Sequence, residues 1–358
     1  MEVGIMGLAA SGKTSLFSLL TGHAHNGRDG RRNLNRVGIA TVPDLRLDSL
    51  TAMYRPRRHT PATIRFADVP GIPDEHRGEP DLNLPELRST DALLVVLRAF
   101  VTDAVAHPKG SVDPLRDLEH IEEEFILQDQ MVIERRLERL ERDLKKRRAI
   151  ELERERDLLE RCLAVLEAER PLRSENFDPN DRKRLRGFTF LSLKPMLVVV
   201  NVGEDEVSSN PFTDPRWAAW TSRPNLAFTR VCTTLEAELA ELEGDDAEAL
   251  MAGFRLADRA VDRVIGESYR LLGLISFFTV GEDECRAWSI LNGSRALDAA
   301  GEIHSDIQRG FIRAEVVPYD ELLDAGSLSV CRQRGTLRIE GKSYTVADGD
   351  VVHFRFNV

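Results

Sequence analysis

Val3-Gly4-Ile5-Met6-Gly7-Leu8-Ala9-Ala10-Ser11-Gly12-Lys13-Thr14-Ser15-Leu16-Phe17 opens the chain and sets its fold class. The apolar run 3–6 reads as a buried strand, and Leu16, Phe17, Leu19 and Leu20 read as one face of a helix. Between them Gly7 to Thr14 matches G-x-x-x-x-G-K-[ST]. Strand, glycine loop and helix in that order are the context a phosphate-binding loop requires. Its glycines let backbone N–H groups converge on phosphate oxygens at a helix N-terminus, where the peptide dipoles favour an anion. Lys13 would reach the β- and γ-phosphates, and the Thr14 hydroxyl would ligate Mg²⁺.

Two further segments fit that loop. Asp68-Val69-Pro70-Gly71 closes the apolar run 64–67. An Asp at a strand end can hold the Mg²⁺ shell, and Gly71 can offer its N–H to a γ-phosphate. Alone such a D-x-x-G is usually a turn; behind a phosphate loop it reads as a second phosphate-sensing segment. Asn201-Val202-Gly203-Glu204 follows the apolar strand 196–200. Guanine-binding enzymes usually carry N-K-x-D there, with a short Asp facing the N1 and N2 donors of the base. Val202 and Glu204 break that pattern, which disfavours guanine.

Around these motifs the chain changes texture. Residues 1 to about 115 alternate apolar runs (3–6, 64–66, 93–97) with Gly- and Pro-containing connections, the rhythm of a parallel α/β sheet. Residues 117–169 hold no Gly or Pro, and Leu118, Ile121, Phe125, Leu137, Leu140 and Leu144 recur at three- or four-residue steps among Glu and Arg. That spacing predicts one long amphipathic helix or an antiparallel helical pair, with a turn near 145–149. Strands then resume at 196–200 and 226–231. Beyond residue 274 short β-like segments between glycines, among them 343–346 and 351–356, predict a small β-rich domain.

Composition narrows the class. The chain has 358 residues, 42% hydrophobic and 30% charged, enough for a real core and too apolar for global disorder. No apolar run reaches the ~18–20 residues that span a bilayer, and the N-terminus lacks the basic region and cleavage site of a signal peptide. Four scattered cysteines fit free thiols in a reducing cytoplasm better than disulfides or a zinc site. A net charge of −11 argues against DNA and leaves RNA only local basic runs, at 28–36, 145–148 and 182–186. Each run by itself reads as a solvated face.

Taken together the motifs resemble the Obg-like ATPase (YchF) family. The resemblance extends to Val42-Pro43-Asp44-Leu45-Arg46-Leu47-Asp48, residues 106–114, and Leu235-Glu236-Ala237-Glu238-Leu239. In the C-terminal part it covers Phe277-Phe278-Thr279-Val280-Gly281, Arg286-Ala287-Trp288, Ala299-Ala300-Gly301-Glu302-Ile303-His304, residues 310–316 and Asp348-Gly349-Asp350-Val351. It implies an α/β P-loop G domain over 1–115 and 187–273, an inserted antiparallel coiled coil over 116–186, and a ubiquitin-like β-grasp (TGS) domain over 274–358. It also implies hydrolysis of ATP in preference to GTP, with Mg²⁺, and association with the ribosome or its RNA through the coiled coil and the TGS domain.

Residue by residue, the family's phosphate loop falls on Gly7, Ala10, Ser11, Gly12, Lys13, Thr14 and Ser15, and its metal ligands on Thr14 and Asp68. Its base contacts fall on Phe100, Asn201 and Val202, the apolar pair sandwiching adenine while the Asn201 amide bonds its edge. Ile72 stands where Ras-like enzymes carry a water-orienting Gln, and an aliphatic side chain cannot polarise water. The family's substitute, a histidine in a mobile loop, falls on His107, whose imidazole suits that task near neutrality.

Three departures point to slow turnover. Ala10 replaces an Asn whose amide would assist a potassium ion. No Thr lies between Thr21 and Thr41 to serve as the switch-I metal ligand, and a glycine-rich switch is reduced to Gly78-Glu79-Pro80-Asp81-Leu82-Asn83. Two alternatives to an ATPase follow: a nucleotide-binding regulator or scaffold with little hydrolysis, and a conventional GTPase.

Overall fold

The computed structural model describes residues 1–22, 36–69, 84–102, 105–147 and 149–357. Gly71, Ile72, residues 78–83 and most of the basic run 28–36 lie outside them. Among the described residues twelve strands form two sheets, each of six strands. They are β1 (Glu2–Met6), β2 (Arg36–Thr41), β3 (Arg58–Thr60), β4 (Thr63–Asp68), β5 (Ala92–Arg98), β6 (Met196–Asn201) and β7 (Leu226–Val231), then β8 (Leu274–Thr279), β9 (Glu284–Leu291), β10 (Phe311–Pro318), β11 (Arg338–Glu340) and β12 (Asp350–Phe356).

The first sheet has the order β2-β4-β1-β5-β6-β7. Pairing from β4 through β7 is parallel throughout. Every residue of β5 and β6 is buried, as the unbroken apolar runs 92–97 and 196–200 require of strands covered on both faces. This is the P-loop fold, with the loop at the carboxyl end of β1, where open α/β sheets place their ligands.

Helix Pro114–Lys146, of 33 residues, starts at the N-cap Asp113 and leads with a proline, the local signature of a helix start. Its first turns bury Leu118, Ile121 and Phe125 in the core of the sheet. Farther along, Ile133 and Leu140 join Leu158, Leu159, Cys162 and Val165 of helix Ile150–Glu167 in a separate core. An Arg136–Glu155 ion pair at 2.7 Å fixes the register of this antiparallel hairpin. The first helix ends at Lys146 and the second starts at Ile150, on either side of the stretch where the apolar spacing falters. Asp129, fully buried, binds the hairpin to the chain that returns from it: its carboxylate accepts from Leu191 N–H (3.1 Å), Ser192 N–H (2.7 Å) and Arg88 (3.0 Å).

Contacts divide the chain into two units, Met1–Gly38 with Arg65–Val264, and Ile39–Ile64 with Ile265–Val358. Residues 39–64, expected within 1–115, thus group with the C-terminal segment, and the helical insertion groups with the first unit. The reason is long-range pairing. β3 runs parallel to β9, Arg58 opposite Glu284 and Thr60 opposite Arg286, completing the sheet β11-β10-β12-β8-β9-β3. Arg46 pairs with Asp348 at 2.8 Å and lies over the Phe278 ring at 5.2 Å. In this second unit β8 and β9 form an antiparallel pair, β12 lies parallel beside β8, and helix Ala296–Ile303 sets Ala296, Ala299 and Ala300 against the sheet around Phe277 and Val352. That is the arrangement of a β-grasp. Residues 343–346 are not a strand. Thr345 makes one isolated bridge to Arg295, while Val346 N–H bonds to Ser294 O and the Tyr344 hydroxyl to Asp350. Their alternation comes from side chains anchoring a loop, not from a ladder.

Candidate functional site

The loop after β1 is shaped by residues with little freedom to be otherwise. A Cβ at Gly7 would collide with the carbonyl of Val96, and one at Gly12 would overlap the Asn201 amide. Gly12 also has φ +94°, a left-handed conformation that disfavours side chains. Ala10 sits at φ +58° without that freedom. Asn occupies the left-handed region more readily than Ala, so the Asn-to-Ala departure noted above carries a backbone strain as well as a lost amide.

Helix Lys13–Thr21 starts directly on the loop with no side-chain cap, so its first N–H groups remain for a ligand. Lys13 turns back over the loop, and Nζ donates to Leu8 O at 3.3 Å. Burial lowers its pKa, and the negative field of Asp68 opposes that shift. Asp68, at the end of β4, and Thr14 are both half-buried. One carboxylate and one hydroxyl are hard oxygen donors, the set that holds Mg²⁺ when phosphate oxygens and water complete its octahedron. Among the described residues no group of three or more His, Cys, Asp or Glu side chains is arranged to hold a metal ion. The residues therefore fit a phosphate-borne Mg²⁺. Ser15 is exposed on the same first turn.

The base-contact residues are placed differently from expectation. Asn201 is 1% exposed, and its amide is fully used. Nδ2 donates to Ser11 O (3.0 Å) and to Thr233 Oγ1 (3.2 Å), while Oδ1 accepts from Thr233 N–H (3.2 Å). It struts the phosphate loop instead of offering a free edge to a base. Val202 is buried, at the edge of a cleft of ≈ 590 Å³ walled by Val101, Pro114, Leu115 and Trp217. Phe100 is half-buried, and one face of its ring is occupied by the Arg98 guanidinium at 4.9 Å. Glu204 is exposed at the start of a short 3-10 turn, Glu204–Glu206.

His107 departs most from expectation. Its side chain is 3% exposed; Nε2–H donates to Asp117 at 3.0 Å and Nδ1 accepts from Lys109 N–H at 3.2 Å. The loop histidine is held inside the protein, against the first turn of helix Pro114–Lys146, and not presented to solvent. Three partners escaped the sequence reading: Thr233, Arg98 and Asp117. Arg98 left a trace, as a lone cation ending a fully apolar strand. Asp117 left a weaker one, because Asp113-Pro114 marks a helix start and so puts Asp117 in its first turn. Thr233 left none.

Residues 274–357 match the family model YchF-GTPase_C, described as a protein of unknown function (DUF933). The chain is 37% identical over 371 residues to the ribosome-binding ATPase YchF of Bacillus subtilis (strain 168), with 100% of both chains covered. It is 34% identical over 367 residues to Obg-like ATPase 1 of Oryza sativa subsp. japonica, covering 100% of this chain and 92% of the rice protein. Among solved structures, the YchF GTPase of Schizosaccharomyces pombe superposes with a TM-score of 0.86 at 28% identity, over 99% of this chain and 97% of that one. The similarity thus runs along the whole length, and the chain belongs to the YchF, or Obg-like ATPase, family.

Proposed function

We propose that this protein binds Mg·ATP in preference to Mg·GTP at the loop Gly7–Ser15, hydrolyses it slowly, and acts in association with the ribosome. The observation that carries the reading is the preformed loop: two glycines without room for a side chain, Lys13 folded back over it, and a strut from Asn201. Lys13 and the N–H groups of the first helical turn neutralise the phosphates. Thr14 and Asp68 would hold Mg²⁺, which when bound neutralises charge on the β- and γ-oxygens. His107 is the group suited to orient the attacking water. Ribosome association rests on the relatives known as ribosome-binding ATPases, and the helical hairpin and C-terminal TGS-like sheet are the surfaces we assign to it.

Base preference follows from the acceptors. Guanine brings N1–H and N2–H₂ donors, and Glu204 is a methylene longer than the Asp that usually meets them. A buried donor left unmet costs ~1–3 kcal/mol, or roughly ten- to a hundred-fold in affinity. Adenine lacks that donor pair and can rest on Val202 and Phe100. Calorimetric titration with ATP and GTP side by side is the test: equal or tighter GTP binding would return the protein to the GTPases. The second reading, a nucleotide-binding regulator with little turnover, is favoured by one observation, that both ring nitrogens of His107 are already bonded. Single-turnover hydrolysis in saturating Mg·ATP separates the two.

A further inference from the structure

The segment that carries His107 is fastened at three points. At its start, Arg98, itself 3% exposed, donates Nη2–H to Val105 O at 3.0 Å. In the middle, His107 pairs with Asp117, whose side chain is 2% exposed. At its end, Arg116 donates to Ser111 O at 2.7 Å and to Ser111 Oγ at 2.9 Å, and the same guanidinium bonds Asp117 Oδ1 at 2.8 Å. Arg116 and Asp117 are neighbours in the first turn of helix Pro114–Lys146 and act as one clamp through their mutual hydrogen bond.

An Asp beside a His usually orients the imidazole for work at its other nitrogen. Here the other nitrogen is also taken, since Nδ1 accepts the Lys109 N–H. A neutral imidazole has one N–H and one lone pair. Both are used, so none is left to hold or deprotonate water.

We infer that Asp117, braced by Arg116, is a latch that withholds His107 from the reaction, so that turnover requires the 105–111 segment to leave the first turn of the hairpin helix. Asp117 is therefore a positioning residue that acts through His107, and control of the candidate catalytic group lies at the root of the helical arm. The inference rests on the reading of His107 given under Proposed function.

The test uses the full-length chain and four variants: Asp117→Asn, which keeps the shape and removes the charge, Asp117→Ala, His107→Ala, and the double variant His107→Ala with Asp117→Ala. Hydrogen exchange probes the latch without reference to catalysis, through the Lys109 and Gly110 amides bonded within it. Loss of a hydrogen bond to a buried charge shifts the docked-to-released ratio by about ten- to a hundred-fold. Exchange at Lys109 and Gly110 should quicken by that order in Asp117→Ala and by less in Asp117→Asn, with the β5 amides unchanged. Single-turnover hydrolysis of Mg·ATP should rise in the same order and fall to the His107→Ala rate in the double variant. Unchanged exchange at Lys109 and Gly110 overturns the latch. Faster exchange with slower hydrolysis shows that Asp117 orients His107 for catalysis, and also overturns it. Hydrolysis untouched by His107→Ala alone instead removes His107 from the mechanism, and the withholding role falls with it even where exchange quickens.

Discussion

Replacing Asn201 by Ala separates a strut from a base contact. In the structure the amide satisfies Ser11 O, Thr233 N–H and the Thr233 hydroxyl. Truncation leaves the Ser11 carbonyl without that donor in a position 1% exposed, and Thr233 N–H in a half-buried one that water can reach. A buried orphan costs ~1–3 kcal/mol and a hydrated one about 1, so stability should fall by ~2–4 kcal/mol in urea unfolding. The loop also loses the hold that fixes Ser11 and Gly12, and nucleotide affinity should drop by about tenfold, or ~1.4 kcal/mol. The decisive quantity is the ratio. A strut acts on the phosphates, which ATP and GTP share, so calorimetry should show both affinities falling by the same factor. Asn201→Asp should bind both more weakly still, because it loses the donor to Ser11 O and sets a carboxylate near the phosphates. A selective loss of ATP binding in Asn201→Ala, with stability unchanged, would refute the strut and restore a contact to the adenine edge.

Other outcomes are equally specific. Asp129→Ala should destabilise the protein by ~3–5 kcal/mol, because it strands Arg88 and two backbone N–H groups inside the protein; a loss below about 1 kcal/mol in urea unfolding would show that the site rehydrates. Burial lowers the Lys194 pKa to about 8, against the pull of Asp91 and Asp129, while Nζ donates to Arg88 O and Thr90 O. Below pH ~8 both folded and unfolded chains carry this proton, whereas between ~8 and ~10.5 only the unfolded chain does. Wild-type stability should therefore rise with pH across that window, relative to Lys194→Met, by up to about 3 kcal/mol, and paired urea curves at pH ~7.5 and ~9.5 will show no such divergence if the ammonium is hydrated. Ala10→Asn should stabilise the chain by ~0.5–1 kcal/mol, since Asn tolerates φ +58° better than Ala, and should raise the hydrolysis rate in potassium over that in sodium; destabilisation would mean the loop has adapted to the smaller side chain.

What the amino-acid sequence determined by itself is what depends on near neighbours. Apolar-rich segments placed β1, β4, β5, β6 and β7, and β5 and β6, buried at every residue, leave no alternation to misread. The glycine spacing placed the phosphate loop, and a Gly- and Pro-free stretch of periodic leucines placed the hairpin. Tertiary structure alone decided whatever needed a partner distant along the chain. β3 is three residues long, too short to carry a pattern, and is a strand only because β9 lies beside it. Residues 39–64 join the C-terminal unit through such pairings and through Arg46, whose carboxylate partner Asp348 lies 302 positions away. Residues 343–346 alternate like a strand, yet bond to Ser294 and Asp350 one side chain or amide at a time. The site divides in the same way. Gly7, Gly12 and Lys13 are legible because their work is local backbone geometry. The engagement of Asn201 with Thr233, and the burial of His107 on Asp117, are not legible, because a hydrogen-bonding side chain carries no mark in sequence of which partner folding will bring to it.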